Sequence, residues 1–190
     1  MAPNLPHDPP MKGIPMAAND TSVETATVEH VTIRSSNSFA AVRAALETLV
    51  PRLDDAFLTL LRLGLTDRAR QELEAAPPLS IFGNRDHGAL LAIAGLERRA
   101  IQYDIGNPLT ASLMTRHRIS AALYAPIRVL LRESPEGEVA FEYDRPTSTF
   151  GQFGDDNVDI VARKLDQTLR DVLQKAADGG ADMPKTTPIV

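Results

Sequence analysis

The stretch Ile127–Tyr143, IRVLLRESPEGEVAFEY, decides how the rest of the chain is read. Ile127–Arg132 is largely apolar, whereas Glu138–Tyr143 alternates. Val139, Phe141 and Tyr143 fall on one side, and Glu138, Ala140 and Glu142 on the other. A period of two is the signature of a strand with one buried face. Ser134-Pro135-Glu136-Gly137 between the two runs supplies the turn chemistry of an antiparallel hairpin.

Downstream, Pro146–Gly154 reads as a Gly/Thr/Ser loop, and Asp155-Asp156-Asn157 then cap a helix. Its apolar stripe is Val158, Val161, Leu165, Leu169 and Val172, and its acidic start suits the helix dipole. Upstream, Arg98–Ile105 alternates with Arg99, Ile101, Tyr103 and Ile105 on one side, and Leu79–Phe82 suits a shorter strand. Between them Ala89–Gly95 fits one or two helical turns. Gly106-Asn107-Pro108 marks a turn that opens a helix at Pro108, and Leu109–Tyr124 reads as helix followed by loop. Val28–Arg34 alternates as a first strand. Ser38 then caps a helix with Phe39, Val42, Ala45, Leu46 and Leu49 at helical spacing, stopped by Pro51. Arg52–Ala76 is helical in pattern, broken at Gly64 and ended by Pro77-Pro78. Strands and helices do not alternate strictly. The order therefore favours an antiparallel sheet with helices mainly on one face over a doubly wound parallel sheet.

The 190 residues suit one domain, and 43% hydrophobic content is enough for a core. Residues 1–26, with five prolines in the first fifteen, read as a disordered leader, and 178–190 as a flexible tail; 27–177 form the domain. With 20 Lys+Arg against 25 Asp+Glu, the net charge of −5 offers no general pull towards nucleic acid or anionic lipid. No run of signal-peptide or membrane-spanning character is found, so a cytoplasmic protein without membrane contact is expected. Zero Cys removes thiolate metal sites and thiol catalysis. No His-rich metal motif and no phosphate-binding or dinucleotide-binding glycine loop occurs, so neither metal nor cofactor is expected.

Chemistry has few places left. Asn84-Arg85-Asp86-His87 puts four polar residues between Gly83 and Gly88. His87, with Asp86 beside it, has the titration range for proton transfer; the alternative is a polar turn in which Asp86 caps a helix. Gly106-Asn107 precedes a helix whose free amides would attract an anion, or it is simply the turn that starts the helix. The set Arg98, Arg99, Arg116, Arg118, Arg128 and Arg132 reads as a solvated surface, since acids lie among them. Tyr103, Phe141 and Tyr143 share their faces with Ile and Val, which favours core over base stacking.

Six pieces in order carry a family resemblance. They are Asn84-Arg85-Asp86-His87, Gly95-Leu96-Glu97-Arg98-Arg99, Ile105-Gly106-Asn107-Pro108, Leu113-Met114, Ala125-Pro126-Ile127-Arg128-Val129 and Glu136-Gly137-Glu138. Together they resemble the bacterial family called domain of unknown function 302, most closely over Ile81–Pro146 and more loosely over 28–176. Arg85 stands where the family usually has an apolar residue, Ala100 replaces a proline, and Pro51–Pro78 looks like a helical insertion. The resemblance implies an α+β fold similar to the TATA-binding-protein-like arrangement. Its curled antiparallel sheet of about five strands packs on a long C-terminal helix, with extra short helices. It also implies a homodimer and a ligand cavity between sheet and helix, but no reaction.

The expected function is therefore a small-molecule-binding or accessory protein. Arg85, Tyr103, Gly106 and Asn107 are its ligand-binding candidates. The alternatives are a cofactor-free isomerase, cyclase or lyase using His87 and Asp86, and a dimeric interaction protein using the Leu53–Leu65 face.

Overall fold

A computed structural model describes residues 21–179. Most of the expected leader and tail, residues 1–20 and 180–190, lies outside them. Five strands form one open antiparallel sheet: β1 His30–Ser35, β2 Ser80–Asp86, β3 Ala100–Gly106, β4 Ile127–Glu133 and β5 Val139–Asp144. Their spatial order is β1-β5-β4-β3-β2. The helices are α1 Phe39–Leu49, α2 Ala56–Arg62, α3 Thr66–Ala75, α4 His87–Leu90, α5 Pro108–Thr115, α6 Pro146–Gly151 and α7 Asp156–Ala177, with 3-10 turns at Leu91–Ala94 and Ile119–Tyr124. The α+β sheet-and-long-helix architecture is thus the one expected.

The register explains the layering. Paired residues on adjoining antiparallel strands share a face. Ile33 opposes Phe141, Phe141 opposes Leu131, Leu131 opposes Ile101, and Tyr103 opposes Val129. All six are buried, and they form one core with Val42 and Leu46 of α1 and Val158, Leu165, Leu169 and Leu173 of α7. The stripe on α7 is rotated from the expected one. Ala162, Leu173, Ala176 and Ala177 are buried while Val161 and Val172 only flank the core, because the small alanines let the helix lie close. Asp166 also faces inward, 3.6 Å from Arg145 Nε and 3.5 Å from Arg170 Nη2. Burial, with Asp166 nearby, raises the Tyr143 phenol above its ordinary range.

Three local readings change. Residues 83–86 continue β2 rather than forming a turn, because they pair with β3 after a bulge between Ile81 and Gly83. Pro146–Gly151 is a short helix rather than a loop, started by a proline in its first turn and held by buried Phe150. The segment after α5 winds as 3-10 helix around buried Ala121. In the Pro51–Pro78 region, α2 and α3 close over a small core of Phe57, Ala69 and Leu73 that also takes Leu109 of α5. The chain before α2 guards the β2 edge, with Ile81 N donating to Pro51 O and Leu53 N to Ile81 O, both at 2.9 Å.

Candidate functional site

A cleft of about 750 Å³ opens where the start of β3 meets the first turn of α1. Phe39, Ala40 and Arg43 of α1 form one wall, and Glu133, Ser134, Pro135 and Gly137 of the β4–β5 hairpin another. The third wall is α4 with the chain that returns to β3, through Gly88, Ala89, Ala92 and Leu96–Arg99, with Ala100 and Ile101 beneath. The hollow exists because the residues at its centre are small. Ala40, Gly88, Ala89, Ala92 and Ala100 leave between the walls a space that larger side chains would fill. Asp86 ends β2 on this side of the sheet, opposite Ile101, and its Oδ1 accepts from Ala89 N at 2.8 Å to start α4. Gly95, at φ 71°, takes the left-handed conformation that turns the chain back towards β3.

Behind the cleft runs a polar chain. Tyr103 Oη donates to Glu47 Oε1 at 2.9 Å, and Arg43 Nε donates to the same oxygen at 3.0 Å. Burial first, then the hydrogen bond to Glu47, holds the Tyr103 phenol far above its usual range, so it stays protonated and donates. Glu47 likewise raises Arg43.

The residues expected to form one site are divided among four places. Asp86 lines the cleft. His87 does not; it turns to the outer sheet face, where its Nε2 donates to Gln102 Oε1 at 3.0 Å. Arg85 points to that same face and donates to Asp104 Oδ2 at 2.8 Å. Tyr103 is fully buried in the core, so the expectation that it meets a ligand directly is corrected: its contact with the cleft runs through Glu47 and Arg43. Gly106 and Asn107 lie at the other end of β3, about 20 Å from Ala100 by strand rise. They border a separate, mainly apolar pocket of about 80 Å³. The amides of α5 are not free for an anion there, since Asn107 Oδ1 accepts from both Leu109 N and Thr110 N. Asn107→Ala is expected to cost about 1 kcal/mol of stability in urea denaturation while leaving the cleft unchanged.

Sequence reasoning passed over Phe39, Arg43 and the hairpin as site residues. No local pattern signals them, because they come together only across the sheet. Arg98 and Arg99 were visible, but their alternation with acids read as a solvated surface.

The outer face of the sheet carries an ion-pair ladder. Arg34 Nε donates to Glu138 Oε2 at 2.8 Å, and Arg132 Nε donates to Glu142 Oε1 at 2.6 Å. The Arg34 guanidinium, followed by Arg132, holds the Glu138 carboxyl below its ordinary value of 4.5. A carboxyl depressed on folding stabilises the folded state above its unfolded pKa, and that contribution is lost as pH falls through the lower, folded value. The Glu138→Gln variant is therefore expected to be less stable than the parent near neutrality, with the gap closing in acid. Urea midpoints at about pH 7 and about pH 3 read this difference.

Among the described residues, no group of three or more His, Cys, Asp or Glu side chains is placed to hold a metal. None of their helices is long and apolar enough to cross a membrane.

Comparison with known proteins bears on the fold and the family. No curated protein matches the chain. The crystal structure of an uncharacterized conserved protein DUF302 from Bacillus stearothermophilus superposes with a TM-score of 0.57 at 15% sequence identity, covering 77% of this chain and 97% of that one. At that identity the likeness concerns the fold alone. The family model for domain of unknown function DUF302 matches residues 65–176, beginning inside the stretch read as an insertion and taking in α3, strands β2–β5 and nearly all of α7. With more than half of its length under that model, the chain belongs to the DUF302 family.

Proposed function

We propose that the protein binds a small molecule in the cleft between α1, the α4 turn and the β4–β5 hairpin, acting as a binding or accessory protein. One observation supports this reading most: the cleft, of about 750 Å³, lies within the range of roughly 300–1,000 Å³ typical of ligand sites, and its walls mix apolar and polar groups. Ala92 is exposed and stands on the wall, so Ala92→Trp fills the space without touching the core. A small-molecule library screened by thermal shift should yield compounds that raise the Tm of the parent and leave the Trp variant unmoved. Compounds that act equally on both proteins, or none at all, would overturn the reading.

A second reading, homodimerisation through α2, has its own support. Leu58, Leu61, Leu63 and Leu65 are 36%, 44%, 68% and 40% exposed. Leu58 and Leu61 stand on α2 and Leu63 and Leu65 just after it, and four exposed leucines within eight residues support an interface there. Leu60, by contrast, packs inward against Phe57 and Leu73. The double variant Leu58→Lys, Leu61→Lys is expected to turn a dimer into a monomer by light scattering; an unchanged mass removes the idea.

A further inference from the structure

The pocket at the far end of β3 differs in chemistry from the cleft. Its walls include buried Ile105, Met114, Ile127 and Leu165, with Phe82 at the rim. None of the described residues that line it carries a charge, and its polar side chains are Asn107 and Thr110. Asn107 is committed: its Oδ1 caps α5, and its Nδ2 donates to Pro77 O at 3.4 Å. The main chain is engaged as well, since Ile105 pairs with Ile127 and Ala111 N donates to Asn107 O at 3.0 Å. A trapped water needs two to four polar partners, so this lining favours hydrocarbon over water.

Gly106 and Phe82 shape the opening. The bulge between Ile81 and Gly83 leaves Phe82 out of the β2–β3 register, and its ring lies beside Gly106 while the residue is 40% exposed. A Cβ on Gly106 would stand 3.5 Å from Phe82 Cε2 and 3.5 Å from Pro126 Cβ, and both residues are walls of the pocket. The glycine therefore leaves open the space between them. Met114, unbranched and with three rotatable bonds, lets the inner wall adapt to a guest.

We infer that this pocket is a second binding site, independent of the cleft, for a short, branched, uncharged hydrocarbon group. Its volume of about 80 Å³ is roughly two to three times that of a water molecule in the liquid, which suits an isopropyl or isobutyl end. A charge placed there would lose its hydration with nothing to replace it.

The probes are isobutanol, isobutyrate and isobutylammonium, titrated into the full chain and followed by the amide resonances of Ala111, Met114 and Ile127. Isobutanol is expected to move these saturably, with a Kd in the millimolar range, as suits so small a molecule. Both ions should bind at least about tenfold more weakly, because the charge sits too close to the branch to stay in water when the branch is buried. Gly106→Ala adds a methyl at ordinary contact distance where φ is not positive, so it should keep its Tm within a few degrees and weaken isobutanol about tenfold or more. Phe82→Ala, at an exposed position, should weaken it too, and decides the matter if Gly106→Ala fails to fold. Ala92→Trp, which fills the cleft, should leave isobutanol binding unchanged, so the two sites are read apart. A library compound whose effect survives Ala92→Trp and is lost in Gly106→Ala supports this pocket and counts neither way for the cleft. No saturable shift, or shifts that neither substitution at the pocket weakens, overturns the site. Ions that bind there as tightly as isobutanol overturn the uncharged class.

Discussion

Replacing Gly88 by alanine is expected to destabilise the protein by about 3 kcal/mol, from overpacking against main chain. Gly88 lies in the first turn of α4 and is buried. A Cβ there would collide with Arg98 O and stand 2.9 Å from Ala100 N. Both are backbone atoms: Ala100 opens β3 and pairs with Arg132 of β4, and Arg98 stands two residues before it, so neither can swing aside as a side-chain tip would. Alanine would gain up to about 1 kcal/mol in helix propensity, which is too little to offset the clash. The backbone φ of Gly88 is not positive, so the cost comes from space rather than from a left-handed conformation. The variant should also reshape the cleft, because Gly88 and Arg98–Ala100 are both part of its wall. Urea denaturation measures the first effect, and the thermal-shift response to compounds that bind the parent's cleft measures the second. A loss below about 1 kcal/mol would mean that α4 sits farther from β3 than described.

Phe141→Ala is expected to cost about 4 kcal/mol, the loss of apolar burial plus the cavity left behind. Phe141 is fully buried at the centre of β5, between Ile33 of β1 and Leu131 of β4. Strands on both sides hold it, so the site cannot collapse easily. Leu130→Ala is the comparison: Leu130 lies on the outer face of the neighbouring strand and is only half-buried. It should cost roughly a third as much, since less area returns to water. Similar losses for the two, read from matched denaturation curves, would contradict the assignment of the sheet's inner face.

The elements were legible wherever local chemistry decided them. The period of two in Glu138–Tyr143, the Ser134–Gly137 turn and the Asp155 cap each need only neighbours in sequence, and each is found in place. Asp86 also caps α4, as one of the two readings of that segment had it. The misreadings share one cause. Residues 83–86 look polar because three of them sit on an edge strand, exposed to water, so composition there reports burial rather than conformation. The helix at Pro146–Gly151 is held by Phe150 in the core, a contact no local rule contains.

The candidate site was less legible than the fold. Asp86 and His87 are adjacent in sequence, yet Asp86 ends β2 beside the cleft while His87, which opens α4, turns to the outer sheet face. Asp86 and Asn107 flank two neighbouring strands, yet they fall at opposite ends of them. The sequence by itself determined the five strands, the long helices α1 and α7, the Ser38 and Asp155 caps and the family, because these depend on spacing along the chain. Only the tertiary structure decided which residues share a cleft. Arg43, Arg98 and Pro135 meet there because antiparallel pairing folds the hairpin and the β3 start against α1, and that proximity is a property of the sheet order rather than of any segment.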